Sequence, residues 1–244
     1  MTRISILFGL LSFISSGAPR PDSRPACAPA PAGLSAWFTF DEALFRNAPA
    51  ERVRQGMVGA ALAFDGKSQF VEAPASIAGL DVGEEDFSIE FWLRTRDGTR
   101  TRNIVDKRDK APRGYLIFIQ RGHIGVQVAA GANRSDVIAG DVTVADGRWR
   151  HIAAVCRRLP PGPPLIYVDG VARAASGRSV PLDDLDNHTP LWLGRHHGNR
   201  FVLREDIYFE GAVDELSVYR RALRPDEVRA IHRAGKAGKC RRRN

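Results

Sequence analysis

The chain has only three cysteines and two methionines among its 244 residues. No Cys-x-x-Cys spacing occurs, so the cysteines do not form a zinc motif. No apolar run approaches the roughly 20 residues that a membrane helix needs, which excludes a multi-pass membrane protein. The sequence also lacks Gly-x-Ser-x-Gly, His-Glu-x-x-His and a glycine-rich phosphate loop. The commonest enzyme signatures are therefore missing.

Hydrophobic residues make up 43% of the chain and charged residues 26%, which is ordinary for a globular protein. The net charge is +8, and the basic residues concentrate in Arg94–Arg113 and Arg229–Arg243. These runs are either a solvated loop and a mobile tail or a surface for anionic partners. Such partners include acidic or sulfated glycans, lipopolysaccharide and nucleic acid.

The N-terminus resembles an export signal, because Arg3 precedes an apolar stretch that ends in small residues. We therefore expect a signal peptide at 1–17, a Pro/Ala-rich linker at 18–32, one domain at 33–233 and a basic tail at 234–244. This organisation predicts a secreted or extracellular protein, or one that is periplasmic or attached to the cell surface, with no membrane span.

Short alternating runs separated by turn residues predict an all-β domain of about twelve strands. The clearest run is Phe87–Thr95, where residues of one parity are apolar. Only the segment from Leu223 to His232 has the apolar spacing of a helix, with Pro225 and two acids at its start. The pattern indicates a sandwich or barrel.

The three cysteines occupy different settings. Cys156 is in phase with the apolar residues of a predicted strand, so we expect it to be buried. Cys27 and Cys240 flank the domain, and they can pair in an exported protein if the two termini meet in space.

Six short motifs occur in order across 33–233. They are GAALAFDG (59–66), FSIEFWL (87–93), DGRWRHIA (146–153), LIYVDG (165–170), FEGAVDEL (209–216) and RAL (221–223) with Glu227. Together they resemble the laminin-G-like family of concanavalin-A-like jelly rolls. The resemblance implies two antiparallel sheets whose first and last strands are close, which makes the pairing of Cys27 with Cys240 geometrically possible.

The same resemblance implies a structural calcium ion, which needs six or more oxygen ligands. By this likeness Asp214 supplies a carboxylate, with the carbonyl of Gly66 and Asp41 nearby. The alternative is that Asp214 and Asp41 cap turns or meet arginines.

Glucanases on this scaffold use a Glu-x-Asp-x-x-Glu strand that places two carboxylates on one face. Here Glu205 and Glu210 are five residues apart, but Asp206 falls at +1, on the opposite face of a strand. Glu84, Glu85 and Glu90 fail the spacing as well. We therefore predict a protein that is not an enzyme.

The predicted function is non-catalytic recognition of an extracellular or cell-surface glycan. The alternatives are a protein–protein adhesion module and a glycoside hydrolase with an atypical site. The polar loop that contains His196, His197 and Asn199 is the candidate ligand-binding rim. Core packing is expected for Trp37, Trp149 and Trp192, whereas the sequence does not assign Trp92 to a face.

Overall fold

The computed structural model describes residues 26–41, 50–53, 55–177, 183–196 and 208–241. Within these residues the chain forms strands and two short helices. The strands are β1 (Leu34–Phe38), β2 (Glu51–Val53), β3 (Ala61–Asp65), β4 (Val71–Ala73), β5 (Phe87–Arg94), β6 (Arg102–Arg108), β7 (Arg113–Gln120), β8 (His123–Ala130), β9 (Asn133–Ala139), β10 (Arg150–Cys156), β11 (Leu165–Val168), β12 (Val171–Ala172), β13 (Ala175–Gly177), β14 (Leu191–Leu193) and β15 (Glu210–Tyr219). Helix α1 spans Pro225–Ala234, and a 3-10 helix follows at Gly235–Ala237.

The strands form two antiparallel sheets that pack face to face. One sheet has eight strands in the order β12-β11-β10-β5-β15-β3-β2, with β1 paired to β15 as the eighth. The other has seven strands in the order β13-β9-β8-β7-β6-β14-β4. Together with the single α-helix near the C-terminus, this confirms the predicted two-sheet antiparallel jelly-roll sandwich.

The core follows from the period-two alternation of the strands. In β5, Phe91 and Leu93 point between the sheets, where they meet Ile117 of β7 and Val126 of β8. A second, smaller core lies on the outer face of the eight-stranded sheet, beneath α1. The amphipathic face of α1, predicted from its apolar spacing, covers this part of the sheet. The smaller core contains Ala153, Val155, Tyr167, Tyr219, Leu223, Val228 and Ile231.

Both ends of the described chain belong to the sandwich. Cys27 and Cys240 form a disulfide, as the sequence allowed. Beside it, the backbone N–H of Ala28 donates to Gly238 at 2.9 Å, and that of Cys240 donates to Ala28 at 2.7 Å. The expectation of a mobile basic tail is therefore wrong for residues up to Arg241. The predicted signal peptide and residues 18–25 of the predicted linker lie outside the described residues.

Strand β15 explains where the C-terminal segment docks. One edge of β15 pairs with β5 along its length, while the other edge pairs first with β3 and then with β1. The register shifts between Asp214 and Ser217, and Glu215 adopts a φ of 57°. The side chain of Lys239 lies beside this irregularity on the outer face of the sheet, and the residue is 5% exposed.

The ammonium of Lys239 neutralises two buried carboxylates. Its Nζ lies 2.9 Å from Oε1 of Glu90 and 3.2 Å from Oε2 of Glu215, and 5.0 Å from the ring centre of Trp37. Burial alone would raise the pKa of Glu90, but Lys239 and His151 hold it at about 2. Burial outweighs Lys239 at Glu215, whose pKa is raised. The charge balance of Glu90 and Glu215 therefore depends on the ammonium of Lys239.

We predict that Lys239→Met destabilises the protein by about 3–5 kcal/mol, because removal of one partner leaves buried charge uncompensated. The control is Lys236→Met, which changes an exposed lysine of the same segment and is expected to cost less than about 0.5 kcal/mol. Urea unfolding of the disulfide-bonded protein measures both. Equal stability of the two variants would show that the buried pair contributes nothing.

Candidate functional site

A row of side chains crosses the outer face of the seven-stranded sheet. The strand pairings place Glu72, Trp192, Asp106, Leu116, Gln127 and Asp136 opposite one another in successive strands. Their sequence neighbours point into the core, so the alternation of the strands directs this row outward. We call Asp106, Gln127 and Asp136 the polar row.

Hydrogen bonds fix the planar groups of the polar row. Asp106 accepts from Nε and Nη2 of Arg108 at 2.8 and 2.9 Å. Arg108 also donates to Gln127, and Gln127 donates from Nε2 to Asp136 at 2.6 Å. Arg134 contacts the second oxygen of Asp136 at 2.6 Å. The result is a continuous array of carboxylate, amide and guanidinium groups across β6, β8 and β9. Asp106 and Gln127 are buried within it, at 0% and 8% exposure, whereas the side chains of Asp136 and Arg134 reach the surface.

Three half-buried aromatic rings extend this row at the β4 side of the sheet. Phe70 stacks on Trp192 with ring centres 5.2 Å apart, and Tyr208 lies 6.3 Å from Phe70. The guanidinium of Arg195 lies 5.0, 5.4 and 5.7 Å from the ring centres of Phe70, Trp192 and Tyr208. We call these four residues the aromatic cluster.

The predicted ligand-binding loop begins at this cluster. His196 directly follows Arg195 and is partly exposed. His197 and Asn199 lie outside the described residues. Phe70, Arg195 and Tyr208 were not among the candidate residues predicted from the sequence. The position of Trp192 between two core leucines, Leu191 and Leu193, is the signal that indicates an outward ring.

The expectation of core packing is wrong for Trp37, Trp149 and Trp192. Trp37, Trp149 and Trp192 are partly exposed and belong to neither hydrophobic core. Trp92, which the sequence did not assign, is 3% exposed. It packs against His151 and His232 with ring centres 5.1 and 5.8 Å away, on the outer face of β5. Alternation alone does not reveal this burial, because α1 covers that face.

The three residues predicted to hold calcium do not all meet. Asp214 and Asp41 both reach the segment 56–60, where Val58 N–H donates to Asp214 and Ala60 N–H donates to Asp41, each at 2.8 Å. Gly66 pairs with Phe209 through its N–H. That position is five residues from Asp214 along an extended strand, roughly 17 Å away at about 3.4 Å per residue. Gly66 is therefore not a neighbour of the two carboxylates.

The two carboxylates differ in how they are satisfied. Asp41 accepts from Ala60 and, through its other oxygen, from Arg241. Oδ1 of Asp214 is buried and has no hydrogen-bond partner. Burial, together with Glu215 and Asp41, raises the pKa of Asp214 to about 7. Among the described residues, no three His, Cys, Asp or Glu side chains form a metal-binding group.

The acids considered for catalysis are scattered. Glu90 is buried against Lys239, Glu84 and Glu85 are exposed, and Glu85 pairs with Arg220 at 3.1 Å. Glu210 is exposed on the eight-stranded sheet, and Glu205 lies outside the described residues.

The basic run does not form one surface, because internal ion pairs use several of its charges. Arg102 pairs with Asp97 at 2.9 Å, and Lys107 pairs with Asp81 at 2.6 Å although it is 1% exposed. Arg108 belongs to the polar row contacts described above. Not every basic residue of Arg94–Arg113 is therefore available to an anion. The predicted anion-binding surface is limited to those that remain exposed.

Comparison with known proteins places the fold. A family model described as the concanavalin A-like lectin/glucanases superfamily matches residues 65–229. No curated protein matches the chain in sequence. In the described part of the chain, no helix has the length and apolar character needed to cross a membrane.

Solved structures with a similar fold include binding domains of clostridial toxins. The binding domain of Paraclostridial Mosquitocidal Protein 1 superposes with a TM-score of 0.59 at 18% identity, covering 82% of this chain and 51% of that one. The receptor binding domain of botulinum neurotoxin C/D mosaic serotype gives 0.59 at 9% identity, with 82% and 51% covered. The botulinum neurotoxin serotype D ligand binding domain in complex with N-acetylneuraminic acid gives 0.56 at 10% identity, with 82% and 46% covered. The chain thus spans about half the length of these structures.

We predict that Asp214 makes folding stability fall between about pH 4 and pH 7. The unfolded carboxyl has an ordinary pKa of 3.8, whereas the folded one has a pKa of about 7 and stays protonated up to that pH. Stability is therefore fully present below pH 4 and is lost as pH rises to 7, by up to about 4 kcal/mol. Asp214→Asn should remove this slope and exceed the wild type in Tm at pH 8, measured in EDTA. Asp141→Asn, at an exposed turn residue, should keep the wild-type slope. A slope that persists in Asp214→Asn would contradict the role of Asp214.

Proposed function

Because the chain belongs to the concanavalin A-like lectin/glucanase superfamily, we propose that it is a non-catalytic recognition module that binds an extracellular glycan. The observation that carries this proposal is the array of planar hydrogen-bonding groups on the outer face of the seven-stranded sheet, which adjoins the aromatic cluster. Since a fold alone does not determine a function, the proposed glycan binding depends on these side chains.

The chemistry of the array suits sugars. Aromatic rings provide apolar faces against which sugar C–H groups pack, and the half-buried rings of the aromatic cluster lie beside polar neighbours. The exposed charged groups of the array, Asp136 and Arg134, can accept from or donate to hydroxyl groups, and charged groups make the stronger bonds. The hydrogen bonds among Arg108, Gln127 and Asp136 hold these groups in place, which lowers the cost of ordering them on binding.

The length of the row indicates an oligosaccharide. Five strand spacings separate Glu72 from Asp136, roughly 24 Å at about 4.8 Å each. A single sugar covers only part of this distance. A glycan chain that crosses the strands would meet Trp192 at one side of the sheet and Asp136 at the other.

The similar structures support the ligand class. One of them is described as a ligand binding domain in complex with N-acetylneuraminic acid, and others are described as receptor binding domains. We include glycans that bear N-acetylneuraminic acid among the ligands to be tested. The disulfide fits an oxidising compartment, which supports secretion as part of the proposal.

A structural calcium ion is a separate part of the proposal. The unbonded, buried Oδ1 of Asp214 is the atom that fits a cation, and Asp41 would be the second carboxylate. Calcium would favour the charged form of Asp214 and so oppose the loss of stability on ionisation. We expect calcium to raise the Tm at pH 8 and Asp214→Asn to abolish that increase. An unchanged Tm on calcium addition would contradict the ion.

We predict that the full chain binds an oligosaccharide from a panel of cellohexaose, chitohexaose, hexagalacturonate and sialyllactose, measured by isothermal titration calorimetry. Trp192→Ala and Arg195→Gln should weaken that binding at least tenfold, because they remove the apolar face and the cation held on it. The control is Arg229→Gln, an exposed arginine of α1.

Retained binding in both variants would move the site away from the aromatic cluster. No binding to any member of the panel would contradict the glycan proposal and favour a protein partner.

A further inference from the structure

An open trough of about 410 Å³ lies on the outer face of the eight-stranded sheet, away from the aromatic cluster. Strand pairing places Glu51, Ala63, Ala212 and Arg94 opposite one another in β2, β3, β15 and β5. The two alanines form a low floor. Arg94 rises at one end of this row as a wall of the trough. Glu51 lies at the other end of the row, about 14 Å away at three strand spacings of about 4.8 Å.

One wall of the trough is cationic and held in place. Arg94 ends β5 on its outward side, Arg96 follows two residues later as an exposed side chain, and both line the trough. The guanidinium of Arg94 lies 4.9 Å from the ring centre of Trp149. That of Arg96 packs on the backbone of Gly147, where a Cβ would approach it to 2.8 Å. Gly147 has a φ of 79°, so this turn also favours glycine for its backbone conformation.

The buried residue between the two arginines fixes the wall. The hydroxyl of Thr95 donates to the carbonyl of Glu210 at 2.6 Å, and its own carbonyl accepts from the N–H of Gly147 at 2.8 Å. Thr95 therefore ties the end of β5 both to β15 and to the turn that supports Arg96. These hydrogen bonds fix the backbone from which the side chains of Arg94 and Arg96 extend.

These cations differ from the rest of the basic run. The ion pairs of the described residues include Arg102, Lys107 and Arg108 but neither Arg94 nor Arg96. An unneutralised pair of guanidinium groups on one face suits a carboxylate or a sulfate, which accepts two parallel N–H bonds.

Two exposed acids lie near these cations. Glu210 of β15, the strand paired with β5, lines the trough, and Glu51 of β2 lies at the far edge of the sheet. Asp65, which pairs with Glu210 across the strands, directs its oxygens to the N–H groups of Ser68, Gln69 and Lys67, and these bonds hold its pKa below the usual range. Glu210 and Glu51 thus remain as acceptors for a ligand.

We propose that this trough binds an acidic sugar, whose carboxylate pairs with Arg94 and Arg96 and whose hydroxyls donate to Glu210. A polyanion would be repelled by Glu210 and Glu51, whereas a sugar with a single carboxylate presents hydroxyl donors to them. The inference deepens the proposed function and rests on it for the ligand class, but it concerns a second face of the sandwich.

The test uses methyl β-D-glucuronide and methyl β-D-glucoside, which differ only in the carboxylate, titrated into the ¹⁵N-labelled full chain by NMR. We expect the glucuronide to shift the backbone amides of residues 94–96, 147 and 210–212, and the glucoside to bind at least tenfold more weakly. The double variant Arg94→Gln/Arg96→Gln should lose glucuronide binding at least tenfold. The matched control is Arg229→Gln/Arg233→Gln, two exposed arginines of α1.

Further arms separate the alternatives. Arg94→Lys keeps the charge but not the paired donors, and we expect it to weaken binding as well. Equal binding of inorganic sulfate, of glycylglycine or of the glucoside would overturn the proposal, since each lacks either the hydroxyls or the carboxylate of the sugar. Dispersed amide spectra establish that each variant is folded.

The proposed glycan face and the proposed trough can be tested independently. Trp192→Ala should leave glucuronide binding at the trough unchanged. Glucuronide shifts that vanish in Trp192→Ala but survive in Arg94→Gln/Arg96→Gln would overturn the trough and leave the proposed glycan face standing. Glucuronide binding at the trough, with no oligosaccharide of the panel bound, would contradict the proposed glycan face and support the trough.

Discussion

The buried ammonium of Lys239 is the interaction on which the arrangement of the eight-stranded sheet depends. It compensates Glu90 of β5 and Glu215 of β15, two carboxylates that would otherwise be buried without a counter-charge. Lys239 reaches them because the adjacent Cys240 is bonded to Cys27 and because Ala28 pairs with its backbone. Chain ends, disulfide and ion pair therefore form one unit.

That unit also decides which parts of the sheet stay open. The C-terminal segment covers the outer face at Glu90 and Glu215, and α1 covers the surface over β10, β11 and the end of β15. The surface that α1 covers ends where His232 packs against Trp92 of β5. The next outward residue of β5 is Arg94, which is where the trough begins. The proposed oligosaccharide face lies on the other sheet, so the two proposed binding surfaces are on opposite sides of the sandwich.

Local signals in the sequence predicted most of the fold. Alternation located β5, Asp65-Gly66 marked a turn in which Asp65 accepts N–H bonds, and Pro225 with its acids marked α1. The role of Lys239 was not predictable, because its partners are 149 and 24 residues away and a basic tail is usually solvated. The outward tryptophans were missed for a related reason: alternation gives two faces, and only the packed structure shows which one is covered.

Net charge proved a poor guide to the site, and the reason is physical. A charge that is already paired inside the protein has little left to offer a ligand, as with Lys107 on Asp81 and Arg108 on Asp106. A cation that is held in place yet lacks a carboxylate partner keeps its full interaction for an incoming anion. Arg94 over Trp149 meets both conditions, so its position in the trough, and not the excess of basic residues, is what points to an acidic ligand.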